Sequence, residues 1–385
     1  MYTESEVLDF VKEEDVKFIR LAFFDMKGKQ KNISIMADQL NRAFEMGISF
    51  DASAIEGFEA PNKSDLFLHP DPTTLSVLPW RPNTGKVCRM FCNIKYADGT
   101  PYKKDCRNIL KKVTKQLKDE CNVTLSFGPE VEFYLFKLNE AGEPTKIPFD
   151  NAGYMDIAPE DKGENIRRDI CFTLEQMGIT PEASHHEEGP GQNEIDFRYS
   201  DALTAADNAE TFKWIVRTRA ASNGIYADFS PKPLENEAGS GFHINVSCSD
   251  QSKIPNIIAG ILKHAEEMTY YFNTTENSYN RLGERKAPKY ICWGNQNRSA
   301  MIRVPATKKT ARLEIRSADP ECNPYLAFTL ITCAAMDGIK NNLVPPAPIE
   351  ENLFETSHSD IQILPDTLDL AKKIADESDF IKKAF

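Results

Sequence analysis

Apolar residues recur at two spacings along the chain, and these spacings predict interleaved strands and helices. Four segments place apolar residues three and four positions apart, which gives an α-helix one apolar face. These stripes fall on Ile109–Leu117, Ile166–Met177, Phe212–Val216 and Ile257–Leu262. Gly178 and Gly224 follow the second and third stripes, where glycine commonly ends a helix. We therefore expect these helices to bury one face against the rest of the core.

The first hundred residues predict a smaller unit of short strands and one helix. Residues 18–24 alternate between two faces, a helix is expected over Ala37–Met46, and a strand over Lys86–Ile94. Gly99-Thr100-Pro101 punctuates the end of this unit. We place the domain boundary near residue 102, which divides the chain into residues 1–102 and 103–385.

The C-terminal third contains a predicted buried helix and a linker. The apolar stretch Tyr325–Met336 is too short to span a bilayer, so we interpret it as a helix inside the core. Val344–Pro348 is the clearest linker, and one last helix is predicted near Leu368–Phe385.

Composition limits the classes of partner. The chain has 385 residues, of which 41% are hydrophobic and 27% charged, as in an ordinary soluble enzyme. The net charge of −12 argues against nucleic acid or an anionic membrane as the main partner. The acidic N-terminus lacks the pattern of a signal peptide. Nine scattered cysteines favour reduced thiols in a cytoplasmic protein.

Five glutamates and one histidine lie in segments that otherwise predict strands or tight loops. They are Glu130, Glu132, Glu187, Glu194, His243 and Glu314. Glutamate is depleted from strands and rarely buried without a partner. Two carboxylates about 4 Å apart repel by roughly 4 kcal/mol at an effective dielectric near 20, so a convergent cluster requires cations. Oxygen donors with one imidazole suit Mg²⁺ or Mn²⁺. Taken alone, Glu130 and Glu132 could belong to a solvated strand face, His243 could be an ordinary core or surface histidine, and Glu314 could lie in the charged ladder of a surface strand.

Arginines lie close to these glutamates in the sequence. Arg312, Glu314 and Arg316 fall on one face of a predicted strand, and Arg298 and Arg303 lie upstream. Arginine binds phosphate and carboxylate oxygens bidentately, and arginines beside bound cations are what phosphoryl transfer requires. The sequence has no GxxxxGK[ST] motif and no GxGxxG motif after a strand, so a nucleotide would be bound in another way.

Taken together, these segments resemble the glutamine synthetase family over nearly the whole chain. The family's order is followed by FDASAIEGF with SDLFLHPD, FGPEVEFYLF, SHHEEGPGQNEIDF, KPLENEAGSGFHINVS, NSYNRL, NRSAMIRVP and RLEIRSADPECNPYLAF. The bacterial type I branch is the most similar. The resemblance implies an α+β fold with an N-terminal β-grasp domain. The C-terminal catalytic domain would contain a curved antiparallel sheet flanked by helices.

The same resemblance implies a role for each matching residue. Glu132, Glu187 and Glu194 would hold one metal ion, and Glu130, His243 and Glu314 another, within a set of two or three Mg²⁺ or Mn²⁺ ions. Arg281, Arg298, Arg316 and Gly239 would contact glutamate and the transferred phosphoryl group. Ser247, Arg303, Lys309 and Arg312 would lie on the ATP side. Asp51, from a neighbouring subunit, would deprotonate the incoming ammonium, and Tyr154 matches another ammonium-site position.

Departures from the family pattern leave the amine open. Lys286 stands where the family has a glutamate in the flap over the active site, and Glu284 is a possible replacement for that glutamate. Ala52 and Ala54 replace the usual glycine and serine. The sequence therefore leaves three hypotheses: a glutamine synthetase, a γ-glutamyl ligase for methylamine, ethanolamine or a polyamine, and a catalytically weak regulatory homologue.

Two further departures concern regulation and assembly. The tyrosine that is adenylylated in regulated type I enzymes corresponds to Phe354, so this control is predicted to be absent. The retained inter-subunit Asp51 loop predicts a homo-oligomer in the form of a hexameric ring. The sequence ends at Phe385, before the family's C-terminal strap, which argues against a dodecamer. The expected partners are small molecules, with no nucleic acid and no membrane.

Overall fold

The computed structural model describes residues 2–307 and 310–385. These residues divide into two compact units. The first contains the residues up to and including Lys111, together with Glu175–Ile179. The second contains Lys112–Leu174 and Thr180–Phe385. Each unit is built around its own sheet. Lys309, which the sequence places on the ATP side, lies outside the described residues.

The N-terminal unit is a mixed sheet with two helices. Its strands are β1 Val16–Phe24, β2 Gln30–Met36, β3 Ile48–Asp51, β4 Asp65–Pro70, β5 Ser76–Val77 and β6 Lys86–Lys95, in the order β2-β1-β6-β4-β3 with β5 on β6. β1 pairs antiparallel with β2 and parallel with β6. Helix α1 covers Glu4–Glu13 and α2 covers Leu40–Met46. The predicted helix over Ala37–Met46 is therefore present, with a short 3₁₀ turn as its first part.

Helix α1 begins at a capping box that sequence reasoning missed. The Thr3 hydroxyl accepts a hydrogen bond from the Glu6 backbone N–H, and the Thr3 N–H donates to the Glu6 carboxylate. This reciprocal pair satisfies backbone donors that a helix start leaves free. Val7 and Val11 then bury the inner face of the helix.

The second unit contains a larger sheet centred on one long strand, β7. Its strands are β7 Leu125–Leu138, β8 Pro144–Pro148, β9 Pro181–His186, β10 Gln192–Phe197, β11 Ser200–Asp201, β12 Ile225–Asp228, β13 Phe242–Cys248, β14 Trp293–Asn295, β15 Ile302–Val304 and β16 Leu313–Ile315. They follow the order β14-β15-β16-β13-β7-β10-β9, and β8, β11 and β12 also pair with β7. The pairing is antiparallel except between β14 and β15, which are parallel. The expected antiparallel sheet is thus confirmed, with one parallel pair at its edge.

The other helices follow β6 along the chain. They are α3 Cys106–Cys121, α4 Glu164–Gln176, α5 Ala202–Ser222, α6 Ile254–Lys263, α7 Ala265–Phe272, α8 Glu276–Tyr279, α9 Pro324–Lys340, α10 Leu368–Glu377 and α11 Asp379–Ala384. The predicted buried helix is α9, whose Phe328 stacks on Phe127 of β7 with ring centroids 4.4 Å apart. No helix within the described ranges is both long and apolar enough to cross a bilayer.

The prediction of one helix over Leu368–Phe385 was wrong. The chain breaks at Ser378, whose backbone is extended (φ −71°, ψ 124°), and continues as α11. The Ser378 hydroxyl accepts a hydrogen bond from the Ile381 backbone N–H at 3.1 Å, which starts the new helix. Serine competes with helix continuation by capping, and this local signal separates the two helices.

Helices α6 and α9 cross with their backbones in close approach at two glycines. A Cβ added to Gly260 would lie 2.1 Å from the Ala334 carbonyl oxygen. A Cβ added to Gly338 would lie 2.0 Å from the Asn256 carbonyl oxygen. Only glycine permits this crossing, because the obstructing atoms are backbone and cannot rotate away.

Replacing Gly260 by alanine tests this packing. Alanine is favoured over glycine in a helix by about 1 kcal/mol, but overpacking typically costs about 1–3 kcal/mol and more when backbone must move. We expect Gly260→Ala to lower the free energy of unfolding by roughly 2 kcal/mol, measured by urea denaturation. Gly153→Ala is the control, since its Cβ would make an ordinary contact at 3.5 Å. Equal stability of Gly260→Ala and the parent protein would contradict the close crossing.

Candidate active site

Strand register brings the predicted metal-ligand candidates onto one face of the large sheet. His243 on β13 pairs with Glu130 on β7, and Glu194 on β10 pairs with Glu132 on β7. Glu314 on β16 reaches the same face one strand further out. Side chains two residues apart on a strand share a face. Glu130 and Glu132 therefore lie on one face of β7, and the residues that pair with them lie beside them on that face.

Side-chain distances show that these donors converge. The His243 Nδ1 atom lies 3.6 Å from a Glu130 carboxylate oxygen and 3.8 Å from oxygens of both Glu132 and Glu314. Ligand atoms of Glu130, His243 and Glu314 all lie within 4.8 Å of one another, as do those of Glu132, Glu194 and His243. Such groups of hard oxygen donors around one imidazole fit a divalent cation of the Mg²⁺ or Mn²⁺ type.

Glu187 joins the cluster through a histidine that sequence reasoning missed. His185 lies between Glu187 and Glu194, with ring nitrogens 3.4 Å from an oxygen of each. Ligand atoms of these three residues also lie within 4.8 Å of one another. The signal in the sequence was the position of His185 two residues before Glu187. Its pairing with Glu194 is visible only in the sheet.

A buried hydrogen-bond network fixes the turn that carries Glu187. His186 contacts the Glu187 carbonyl oxygen through Nδ1 at 2.7 Å and an Asp150 carboxylate oxygen through Nε2 at 2.9 Å. Asp150 also accepts from the Gly191 backbone N–H at 2.9 Å. These bonds hold both ends of the turn between β9 and β10, so that Glu187 is presented from a rigid support.

Like-charge repulsion acts on several carboxylates of the cluster. Burial raises the pKa of Glu194, and the neighbouring Glu132 carboxylate raises it further. Burial and Glu132 likewise raise the pKa of Glu187. Asp196, a nearby carboxylate not singled out from the sequence, has its pKa raised by burial and by Glu130. A bound cation would relieve this repulsion, as the composition of the donor set suggests.

Glu314 is in the opposite electrostatic situation. Burial acts to raise its pKa, but Arg316, His243 and Arg303 outweigh burial and hold the pKa well below its ordinary value. Arg303 and Arg316 each donate a hydrogen bond to the Glu314 carboxylate. These pairs keep both guanidinium groups at the edge of the cluster, where they face the same cavity.

The cavity beside the cluster has a volume of about 370 Å³ and is lined by both charge types. Its walls include five of the predicted residues that would handle substrate or phosphate, namely Gly239, Arg281, Arg298, Arg303 and Arg316. All six metal-ligand candidates except Glu314 also line it. A lining that contains both carboxylates, which could hold cations, and guanidinium groups suits an anionic substrate.

Gly239 leaves room for the buried side chain of Arg281. A Cβ at Gly239 would lie 2.6 Å from the Pro231 carbonyl oxygen and 2.8 Å from Cγ of Arg281. The Arg281 guanidinium donates to the carbonyl oxygens of Ser317 and Arg316 at 3.0 and 3.1 Å. Glycine at 239 therefore determines where this arginine lies.

A second cavity, of about 390 Å³, adjoins the first along Glu130, Asp196 and Arg312. Ser247 lines this second cavity, and Arg312 lines both. The two residues are predicted to lie on the ATP side. The shared wall allows a ligand to extend from one cavity into the other.

Of the residues predicted on the amine side, some line the first cavity and others do not. Tyr154 lines the first cavity with its ring against His185, at a centroid distance of 5.6 Å. Lys286 lines the cavity as well, whereas Glu284 is not among its described lining residues. Asp51 belongs to the N-terminal unit, where it accepts hydrogen bonds from the Ser53 backbone and hydroxyl, and its role stays a prediction.

Comparison with known families decides what kind of protein has this site. The model described as "Glutamine synthetase, catalytic domain" matches residues 103–385, and the model described as "Glutamine synthetase, beta-Grasp domain" matches residues 15–97. The chain belongs to the glutamine synthetase family. It is accordingly an ATP-dependent carbon–nitrogen ligase, and the two-domain fold inferred from the resemblance is confirmed.

Individual relatives agree with this assignment over the full chain. A glutamine synthetase from Staphylococcus aureus (strain MW2) is 44% identical, with 100% of this chain and 91% of the relative covered. Among solved structures, a GmaS/ADP complex has a TM-score of 0.89 at 26% identity, covering 98% of this chain and 91% of that one. A Plasmodium falciparum glutamine synthetase shares the fold, with a TM-score of 0.87, 23% identity, and coverage of 100% and 94%.

The convergent donors predict direct binding of divalent cations. Glu132 is buried beside His243, and its other carboxylate oxygen accepts from Gln192 Nε2 at 2.9 Å and from the Gly241 N–H at 2.8 Å. Glu132→Gln removes a negative charge while preserving shape. We expect Mn²⁺ affinity to fall by at least about tenfold, measured by electron paramagnetic resonance of free Mn²⁺.

The matched control is Glu140→Gln, which removes the same charge at an exposed loop position. Its Mn²⁺ affinity should equal that of the parent protein. An unchanged affinity in Glu132→Gln, with the fold intact by circular dichroism, would contradict the assignment of Glu132 to the metal cluster.

Proposed function

We propose that this enzyme attaches ammonia to the γ-carboxylate of L-glutamate at the expense of ATP, through γ-glutamyl phosphate. The observation that supports this most is the convergence of Glu130, Glu132, Glu194, His243 and Glu314 beside an arginine-lined cavity. Membership of the glutamine synthetase family supports the same reaction. ATP and divalent ions, Mg²⁺ or Mn²⁺, are the proposed cofactors.

In the first step, a γ-carboxylate oxygen of glutamate attacks the γ-phosphorus of ATP and ADP leaves. Arg298 and Arg316 are proposed to stabilise the charge that develops on the transferred phosphoryl group. Arg281, with Gly239 beside it, would bind glutamate. Glu130, Glu132, Glu187, Glu194, His243 and Glu314 would hold the divalent ions, whose positive charge would offset the negative charge of the phosphates.

ATP is proposed to enter through the second cavity. Ser247 and Arg312 line it, and Arg312 also faces the first cavity, so the nucleotide would be bound with its phosphates towards the cluster. Arg303 and Lys309 are the other proposed nucleotide-side residues. The similar GmaS structure was solved with ADP, which supports a nucleotide site in this fold.

In the second step, the amine nitrogen attacks the carbonyl carbon of γ-glutamyl phosphate and inorganic phosphate leaves. The nitrogen loses a proton, and Asp51 of a neighbouring subunit is the proposed acceptor. Tyr154 would lie beside the amine. Because this step needs a residue from a second copy, we also propose a hexameric ring in the cytoplasm as the working form.

A second candidate function is γ-glutamyl transfer to another amine such as methylamine, ethanolamine or a polyamine. The Lys286 departure motivates it, since this cation lines the cavity where the family pattern has an anion. That charge repels ammonium and alkylammonium ions alike, so the amine panel, and not the charge of Lys286, separates the two candidates. The two candidates share the first step and differ only in the acceptor.

An amine panel separates the candidates. Purified protein is supplied with ATP, Mg²⁺, glutamate and one amine at a time, and phosphate release is recorded together with product mass. We expect ammonia to give glutamine with the highest kcat/KM. A higher kcat/KM for another amine would select the second candidate, and absence of glutamate-dependent phosphate release with every amine would indicate a regulatory homologue.

Glu314→Ala tests the phosphoryl-transfer step. This change removes a ligand candidate and leaves Arg303 and Arg316 without the carboxylate that both contact. We expect kcat to fall by at least about 10²-fold, because the metal-ligand candidate and the two arginines that it contacts would all stabilise charge in the same transition state. Glu140→Ala is the control at an exposed position. Turnover of Glu314→Ala within a few fold of the parent would refute the proposed role.

A further inference from the structure

Lys286 makes two contacts inside the first cavity that a sequence pattern does not reveal. Its Nζ lies 2.7 Å from a carboxylate oxygen of Glu188, at the turn between β9 and β10. The same nitrogen lies 5.5 Å from the centroid of the Tyr154 ring. The Lys286 and Glu188 side chains are 53% and 35% exposed, so both are accessible from solvent.

The backbone at Lys286 adopts an unusual conformation. Arg285 and Lys286 both have positive φ angles, of 36° and 67°, which side-chain-bearing residues rarely adopt. The Arg316 guanidinium donates to the Lys286 carbonyl oxygen at 3.4 Å, and the next residue, Ala287, is buried. Two neighbouring residues in this region require support from their surroundings, and these contacts provide it.

The groups around Lys286 Nζ form a subsite for an organic cation. A carboxylate and the face of a tyrosine ring are what ammonium-type ligands bind, through an ion pair and a cation–π contact. The chain's own ammonium group fills this subsite. An incoming alkylammonium or ammonium ion of the same charge would have to displace it before Glu188 could act as its counter-ion.

We propose that Lys286 is an internal competitor at the amine subsite formed by Glu188 and Tyr154, and that it lowers the affinity for cationic amines. This inference rests on the proposed function, because it concerns the second substrate of that reaction. It makes Lys286 and Glu188 specificity-determining residues. Glu188 supplies the anion of the subsite from the β9–β10 turn, and the flap segment supplies the cation that covers it.

The size of the effect follows from the exposure of the pair. Partly exposed ion pairs are worth at most about 1 kcal/mol, and salt screens them. Removing the competing cation is therefore expected to tighten amine binding by about two- to fivefold. The gain should shrink as ionic strength rises, since the attraction between the free amine and Glu188 is screened in the same way.

Lys286→Met tests the proposal because it keeps an unbranched side chain and removes the charge. Binding of methylammonium is measured by calorimetric titration without turnover, and KM for ammonium by glutamate-dependent phosphate release. We expect the dissociation constant and this KM both to fall about two- to fivefold, with KM for ATP unchanged. Combining Lys286→Met with Glu188→Gln should abolish the gain. Lys289→Met, an exposed lysine of the same segment outside the cavity lining, is the control.

Three results would overturn the inference. Methylammonium binding in Lys286→Met could be unchanged or weaker. The gain in methylammonium affinity of Lys286→Met could persist in the double variant, in which case Glu188 is not the counter-ion. Amines bearing a carboxylate could be preferred by the parent and lose that preference in Lys286→Met, which would make Lys286 a substrate-binding residue instead. Absence of glutamate-dependent phosphate release would count against the proposed function alone, because the calorimetric arm still tests the subsite.

Discussion

Repulsion between buried carboxylates is the constraint on which this site depends. Glu130 and Glu132 on β7 meet Glu194 from β10 and Glu314 from β16, and their like charges repel one another. At one end of the cluster, Arg303 and Arg316 balance the charge of Glu314. At the other end the pKa values of Glu187 and Glu194 stay raised by burial and by Glu132. The asymmetry indicates where bound cations contribute most.

A sheet can hold such a cluster because its register leaves few alternatives. A slip of one residue in β7 would turn Glu130 and Glu132 to the opposite face, where Phe127 and Phe242 pack on Phe328 of α9. Burial of these aromatic rings therefore opposes the slip. Hydrogen bonds from Gln192 and Gly241 then fix one oxygen of Glu132, leaving the other towards His243. Packing of the aromatic rings on one face of the sheet thus offsets the repulsion between carboxylates on the other face.

Sequence periodicity was sufficient for strands such as β1 and β6 and for the buried helix, but not for contacts made by loops. Glu130 and Glu132 lie two residues apart in β7 and so share one face, and the apolar run of α9 predicted its burial. The Lys286–Glu188 pair could not be predicted, because two turns far apart in sequence meet only through the path of the whole chain. The break at Ser378 and the capping box at Thr3 had local signals, which a search for caps would have found.

The division between strands and loops has a chemical counterpart. Groups assigned to phosphoryl transfer, such as Glu130, His243 and Glu314, lie on paired strands whose positions hydrogen bonding fixes. Groups around the proposed amine subsite lie on connections: Tyr154 precedes α4, Glu188 is in the β9–β10 turn and Lys286 follows α8. Loops accept substitutions that would disrupt a strand ladder. On the proposed function, exchanging charges between two turns, such as those of Glu188 and Lys286, is expected to change the amine that is accepted, while the carboxylate cluster keeps its geometry.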